Sequence, residues 1–210
     1  MTKDFFKTRP LSWSSISSFE YDPEQWYKKY ILDEKEPDSK EMIFGKHFAN
    51  AIENAHPKQK KSVINVSVLG QQVAVPVLDT VEQEFKVTFG DIPLIGFADS
   101  FCSKSKKKLY EFKTGKKAWD QARVDEHGQI TMYCLMNYIT NKIAPEDMEL
   151  TLVWFPTQEN GDFSISFTDA KPQSFSTKRT TKQMLEFGSR INQAVNQMIE
   201  YVKEKEANKV

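Results

Sequence analysis

Two short stretches of the chain hold residues whose types and spacing suit chemistry. One is Gly96-Phe97-Ala98-Asp99, the other Tyr110-Glu111-Phe112-Lys113-Thr114-Gly115. Between them runs Ser103-Lys104-Ser105-Lys106-Lys107, polar enough for a hairpin turn. A turn centred on Ser105 sets Asp99 directly opposite Glu111. Side chains alternate along a strand, so Asp99, Glu111 and Lys113 are expected on one face with Phe97, Phe101 and Leu109. Ala98, Cys102, Tyr110 and Phe112 then turn to the other face. Two carboxylates this close repel each other and raise one pKa unless a cation sits between them. Hard oxygen ligands with open positions suit Mg²⁺ or Mn²⁺, completed by water and a substrate phosphate. Lys113 beside such an ion is placed to orient or deprotonate an attacking water, or to stabilise developing charge. The set suits hydrolysis of a phosphodiester. The competing reading is a pair of exposed hairpin charges joined as an ion pair.

Such a set needs rigid elements around it. Ser12 is a fitting N-cap for a helix over 13–21, and Pro23 opens a second helix reaching about residue 32. The charged stretch 33–40 reads as a loop, after which Ser39 caps a helix over 40–56 that Pro57 ends. On that helix Ile43, Phe44, His47, Phe48, Ala51, Ile52 and Ala55 keep the spacing of one buried stripe. Ile64, Val66 and Val68, then Val73, Val75 and Val77, alternate with polar residues around a turn at Gly70-Gln71. Further strands are expected over 82–89, 94–102 and 107–113, followed by a long helix that Asp120 caps and that runs to residue 141. Strands over 150–155 and 163–167 surround a turn at Asn160-Gly161, and an amphipathic helix over 180–205 closes the chain. This order predicts an α/β (α+β) fold, a central mixed β-sheet flanked by helices.

Bulk composition agrees with one domain over 1–210: N-terminal helices at 12–57, a sheet with its helix at 62–168, and a C-terminal helix at 177–206. Of the 210 residues, 39% are hydrophobic and 28% charged, which permits a sizeable core. No apolar run approaches the roughly 18 residues of a membrane span. Residues 1–10 mix charges with aromatics and lack the apolar centre of a secretory signal, so a cytoplasmic, intracellular setting is expected. Lys and Arg total 29, as do Asp and Glu, giving zero net charge. That excludes a generally basic nucleic-acid coat but not a local positive rim. Cys102 and Cys134 are too few for a disulfide framework or a four-thiolate cluster and read as small core residues.

More short motifs join the first two in order along the chain. They are Leu11-Ser12-Trp13-Ser14-Ser15-Ile16-Ser17-Ser18-Phe19, Trp26-Tyr27-Lys28-Lys29-Tyr30, Gly45-Lys46-His47 with Glu53, and Gln129-Ile130-Thr131-Met132-Tyr133. Together, over about residues 11–138, they resemble the PD-(D/E)xK nuclease superfamily. Within it they resemble the RecB-type branch, shared by nuclease modules of recombination helicase complexes and by CRISPR adaptation nucleases. The resemblance implies a restriction-endonuclease-like core and a deoxyribonuclease dependent on Mg²⁺ or Mn²⁺, acting as an exonuclease on single strands or DNA ends. It also leaves room for a non-cleaving DNA-binding subunit or an RNA-processing nuclease. Asp99 and Glu111 would be metal ligands, the Phe112 carbonyl a third protein oxygen, and His47 an imidazole ligand from the helix. Lys113 would be the catalytic lysine. Gln129 and Tyr133, four apart on one helix face, would support the site or hold the substrate backbone. The superfamily's proline is replaced by Ala98, and the cysteines that give several relatives an iron–sulfur centre have no counterpart, so none is expected. Glu84 and the run Lys104, Lys106, Lys107 and Lys108 read as solvated charges, and Trp119 either stacks on a base or packs.

Overall fold

A computed structural model describes residues 4–34, 36–59 and 61–208; of the stretches read above, residues 1–3, 35, 60, 209 and 210 lie outside it. Helix α1 spans Asp4–Thr8, α2 Trp13–Tyr21 and α3 Pro23–Tyr30. Ser12 caps α2 by accepting from Ser15 N–H, and Asp22 caps α3 just before Pro23. Helix α4 spans Lys40–Gln59, with Met42 N–H donating to Ser39 Oγ at 3.2 Å. Pro57 does not end α4, contrary to expectation: it sits in the last turn, where a missing N–H removes a single bond.

A hairpin of β1 (Val63–Val68) and β2 (Gln71–Pro76) turns at Leu69-Gly70, one residue earlier than expected. Both residues have positive φ, which suits the tight turn of a twisted hairpin. The main sheet is ordered β3 (Thr80–Phe89), β4 (Ile92–Phe101), β5 (Lys108–Gly115), β6 (Glu149–Glu159), β7 (Ile165–Phe167), with β8 (Gln173–Thr177) also on β6. Strands β3, β4 and β5 are antiparallel neighbours, whereas β5 and β6 run parallel along their whole shared length. A parallel pair needs a crossover, here α5 (Gln121–Asp125) and α6 (Gly128–Asn141). The sheet is therefore mixed and flanked by helices, as the element order predicts.

The long helix expected from Asp120 is two helices. Asp120 caps α5, the chain breaks at Glu126-His127, and α6 begins at Gly128. A β-carbon on Gly128 would lie 2.1 Å from the Trp13 indole, so glycine is required where α2 crosses the start of α6. Helix α7 (Thr181–Ala207) closes the chain behind a capping box of Thr180 and Gln183.

Two cores lie on either side of the sheet. The larger joins α2, α3, α6 and α7 to the sheet through residues such as Ile16, Trp26, Leu109, Ile130 and Ile191. The smaller places Phe44, Phe48 and Ile52 of α4, together with the β1–β2 hairpin, over Phe112, Val153 and Phe155. Tyr110 and Phe112 thus face away from Leu109, as strand alternation demands. Ala98 departs from that expectation by joining the same core as Phe101. On β3, Phe85 faces the larger core while Val81 packs on the smaller one, although the two are four residues apart. Alternation therefore inverts on both strands between these positions. The cause is Glu82, whose φ of +48° falls inside β3.

Candidate active site

The β4–β5 hairpin has the predicted register, with Ser100 opposite Tyr110 and Phe101 opposite Leu109. The ladder stops there. One step further, where Asp99 would face Glu111, the strands part. Asp99 Oδ2 instead accepts the Phe112 N–H at 2.5 Å. A strand residue presents its N–H and C=O to the same neighbour, so the Phe112 carbonyl also points into this gap. On its other edge β5 stays fixed to β6, from Lys108 to Gly115. One wall of the gap is therefore rigid.

Glu111 is only 2% exposed, and its Oε1 accepts from Lys113 Nζ at 2.6 Å. Lys113 Nζ also donates to Gln129 Oε1 at 2.8 Å, Gln129 Nε2 donates to Tyr133 Oη at 2.8 Å, and Tyr133 Oη donates to the Phe97 carbonyl at 2.5 Å. This chain ties β5 to β4 through α6. Gly96 allows the close approach, since a β-carbon there would come within 2.9 Å of the Tyr133 ring. Asp99 lines the opposite side of the gap, a cleft of about 80 Å³ between sheet and α4, together with Gly45, Ala49, Glu82, Phe112 and Thr114.

Burial and then the neighbouring Glu111 push the Asp99 carboxyl well above the ordinary range, outweighing Lys113 and the Phe112 N–H. Burial likewise raises Glu111 despite its bond to Lys113. For Lys113, burial acts to lower the ammonium, but Glu111 and Asp99 prevail and the net shift is upward. The lysine is therefore charged at neutral pH. Tyr133 is raised well above 10.0, first by burial and then by both carboxylates, so it remains a phenol.

Among the described residues, no three His, Cys, Asp or Glu side chains stand close enough to hold a metal ion by themselves. The donors around the gap nevertheless suit a hard divalent cation. Glu111 Oε2 is buried without a hydrogen-bond partner among the described residues. An ionised oxygen in that state is costly unless a cation supplies the missing contact. Asp99 and the Phe112 carbonyl are the other oxygens at hand, and the cleft is several times larger than the roughly 10–15 Å³ that one water needs.

The structure thus brings together Asp99, Glu111, Phe112, Lys113, Gln129 and Tyr133. It does not bring His47 to them. Helix α4 buries Phe44, Phe48 and Ile52 and turns Gly45 and Ala49 to the cleft, while His47 and Ile43 fall on its exposed side. The apolar stripe is rotated from the one expected because its outer flank is solvent-facing. Glu84 pairs with Lys86 on the surface, and Lys107 and Lys108 pair with Asp147 and Glu149. Trp119 packs beside His127, ring centroids 5.0 Å apart, with the Arg123 guanidinium carbon 3.8 Å from the Trp119 centroid. Burial and the nearby Lys113, Arg123 and Arg179 hold His127 neutral, its pKa lowered to about 3. Burial also pushes the Cys134 thiol up to about 12, as befits a core residue in α6. Sequence reasoning missed Glu82, because no residue pattern announces a left-handed glutamate within a strand.

No protein-family model matches the chain, and no curated protein does. Among solved structures it is similar to a candidate exonuclease from Eubacterium rectale, at 10% identity and a TM-score of 0.55, covering 94% of this chain and 82% of that one. It is also similar to the alkaline exonuclease LHK-Exo from Laribacter hongkongensis, at 12% identity and a TM-score of 0.46, with all of both chains covered. The complex of LHK-Exo with dAMP gives 11% identity and a TM-score of 0.39 over the same coverage. At such identities the first likeness speaks to the fold: this chain shares the mixed α/β core of that protein. Among the described residues no helix is long and apolar enough to cross a membrane.

Proposed function

We propose that the chain is a divalent-metal-dependent nuclease of the PD-(D/E)xK type that hydrolyses DNA phosphodiester bonds, working from ends or on single strands. The observation that carries this reading is the buried Glu111 oxygen without a partner, beside Asp99 and a charged lysine. Asp99, Glu111 and the Phe112 carbonyl would hold Mg²⁺ or Mn²⁺, which when bound polarises the phosphate and lowers the pKa of water. His47, on the exposed side of α4, is left out of that set.

Lys113 beside that ion would orient or deprotonate the attacking water, or stabilise the negative charge that develops on the phosphate. Gln129 holds the ammonium in place through its amide oxygen, and Tyr133 fixes Gln129 by accepting from its amide nitrogen. Helix α4 walls the cleft on one side through Gly45 and Ala49.

The test is incubation of labelled single- and double-stranded DNA and RNA with Mg²⁺ or Mn²⁺, alongside Asp99→Asn. Metal-dependent shortening of DNA that the variant loses is the expected result. Undiminished cutting by Asp99→Asn would overturn the site assignment.

A further inference from the structure

The chain has four arginines. Arg9 donates to the Tyr30 carbonyl at 2.6 Å, and Arg190 holds Glu20 by two bonds of 2.6 Å. Arg179 is buried and donates to Thr131, Thr177 and the Val124 carbonyl. Arg123, on α5, is exposed and differs from all three. Among the described residues its guanidinium has one hydrogen-bond partner, the Ala118 carbonyl, at a long 3.5 Å. The two nearest aspartates are engaged elsewhere: Asp120 Oδ1 accepts the Arg123 backbone N–H, and Asp125 Oδ1 accepts from Gln121 and Thr177.

What fixes Arg123 is an aromatic bed. Its guanidinium carbon lies 3.8 Å from the centroid of Trp119, which is half-buried against the larger core and packs on His127. His127 begins α6, and two residues on Gln129 grips Lys113. This line of contacts sets Arg123 beside the site, near enough for its charge to oppose those of Lys113 and of a protonated His127. Lys113 has Glu111 as its counter-ion, but among the described residues Arg123 has none. A guanidinium held over a ring keeps its N–H groups for other partners, and its planar fork matches two oxygens of a phosphate.

We propose that Arg123 binds a backbone phosphate of the substrate strand next to the one being cut, and that Trp119 serves to hold it there. This rests on the nuclease reading of the site. It deepens that reading by adding a contact to a phosphate that does not react, which favours a strand over a single nucleotide. With Arg123 over its ring and His127 beside it, Trp119 acts as a support and not as a platform for a base.

The test uses the full chain carrying Asp99→Asn, alone and combined with Arg123→Gln, Arg123→Lys or, as a control on the exposed side of α7, Lys203→Gln. Binding of a labelled single-stranded DNA oligonucleotide is read by fluorescence anisotropy at several salt concentrations. Arg123→Gln should weaken binding about tenfold and make the slope of log affinity against log salt shallower by about 0.7, the share of one phosphate on a single strand. Arg123→Lys keeps the charge without the fork, so it should restore the slope and part of the affinity. Lys203→Gln should change neither. With Asp99 intact, Arg123→Gln should raise KM more than it lowers kcat, because the phosphate it meets does not react. Unchanged affinity and slope in Arg123→Gln overturn the inference, as do an equal loss in Lys203→Gln, a loss confined to kcat, or no binding of the oligonucleotide at all. Binding that depends on Arg123, in a protein that cuts no nucleic acid with Mg²⁺ or Mn²⁺, supports the role of Arg123 and counts against the nuclease reading alone.

Discussion

Lys113 and Asp99 make opposite predictions because their charges are resolved in opposite ways. The ammonium keeps its charge against burial, so Lys113→Ala removes a preorganised cation and should lower turnover by about 10²–10³-fold. Mn²⁺ affinity, read by calorimetry, should stay equal or rise in that variant, since the carboxylates lose a competitor. Asp99 and Glu111 hold protons to higher pH in the fold than in the unfolded chain. Between those two pH values the folded state binds more protons, so stability of the metal-free protein falls as pH rises through the window. Asp99→Asn should flatten this dependence and leave the fold equally or more stable above it, measured by urea unfolding across pH. A steeper loss in the variant would show that the carboxylate is satisfied as it stands. His47, exposed on α4, should be silent: His47→Ala is expected to keep wild-type turnover in both Mg²⁺ and Mn²⁺, and a selective loss in Mn²⁺ would return it to the ligand set.

Among the elements, α6 carries the largest burden, because Gln129 and Tyr133 reach the site from its first two turns. Its start is set by the contact of Gly128 with Trp13. Gly128→Ala should cost about 1–3 kcal/mol by urea titration, as overpacking does, and should also lower turnover by displacing the adjacent Gln129. Loss of stability with full activity would mean the two are uncoupled. The β4–β5 register was legible in the sequence because turn length and period-two alternation together leave one solution. Ser12 and Pro23 marked α2 and α3 through capping chemistry that acts within three residues. What was hidden depends on distant partners. Next to the break at Glu126-His127, Gly128 meets an indole more than a hundred positions away. The rotation of α4 follows from which flank meets the sheet, and periodicity does not specify that. Strand β8 offers a single apolar side chain, Phe175, between polar ones.

At the scale of the whole molecule, zero net charge is distributed as local pairs. Lys40 and Lys116 share Glu159, Lys107 meets Asp147 and Lys108 meets Glu149. Each pair is weak on its own at a solvated surface, and a net charge of zero supplies no strong overall attraction for long duplex. Few phosphates can then be neutralised at once, and the slope of log affinity against log salt follows their number. For a single-stranded oligonucleotide bound to Asp99→Asn, we expect a slope no steeper than about −3, from about 0.7 per phosphate for a few contacts. Fluorescence anisotropy at several salt concentrations reads it. A linear single strand should be shortened faster than a circular one or a supercoiled plasmid, and rapid linearisation of the plasmid would point to internal cutting instead.

The parallel pairing of β5 with β6 also fixes an order of events. Strands β4 and β5 meet through a six-residue connection and are expected to zip early, whereas β6 is separated from β5 by α5 and α6 and is expected to join it later. Since Gln129 lies on that crossover, the grip on Lys113 closes late in folding. Truncating Gln129 to alanine should therefore quicken unfolding and leave the refolding rate almost untouched, while Leu109→Ala, within the hairpin, slows refolding. A chain that has collapsed but not yet completed its crossover would hold the acidic residues without their lysine in position, so on the proposed nuclease reading a capacity for cleavage would be expected only with the last step of assembly.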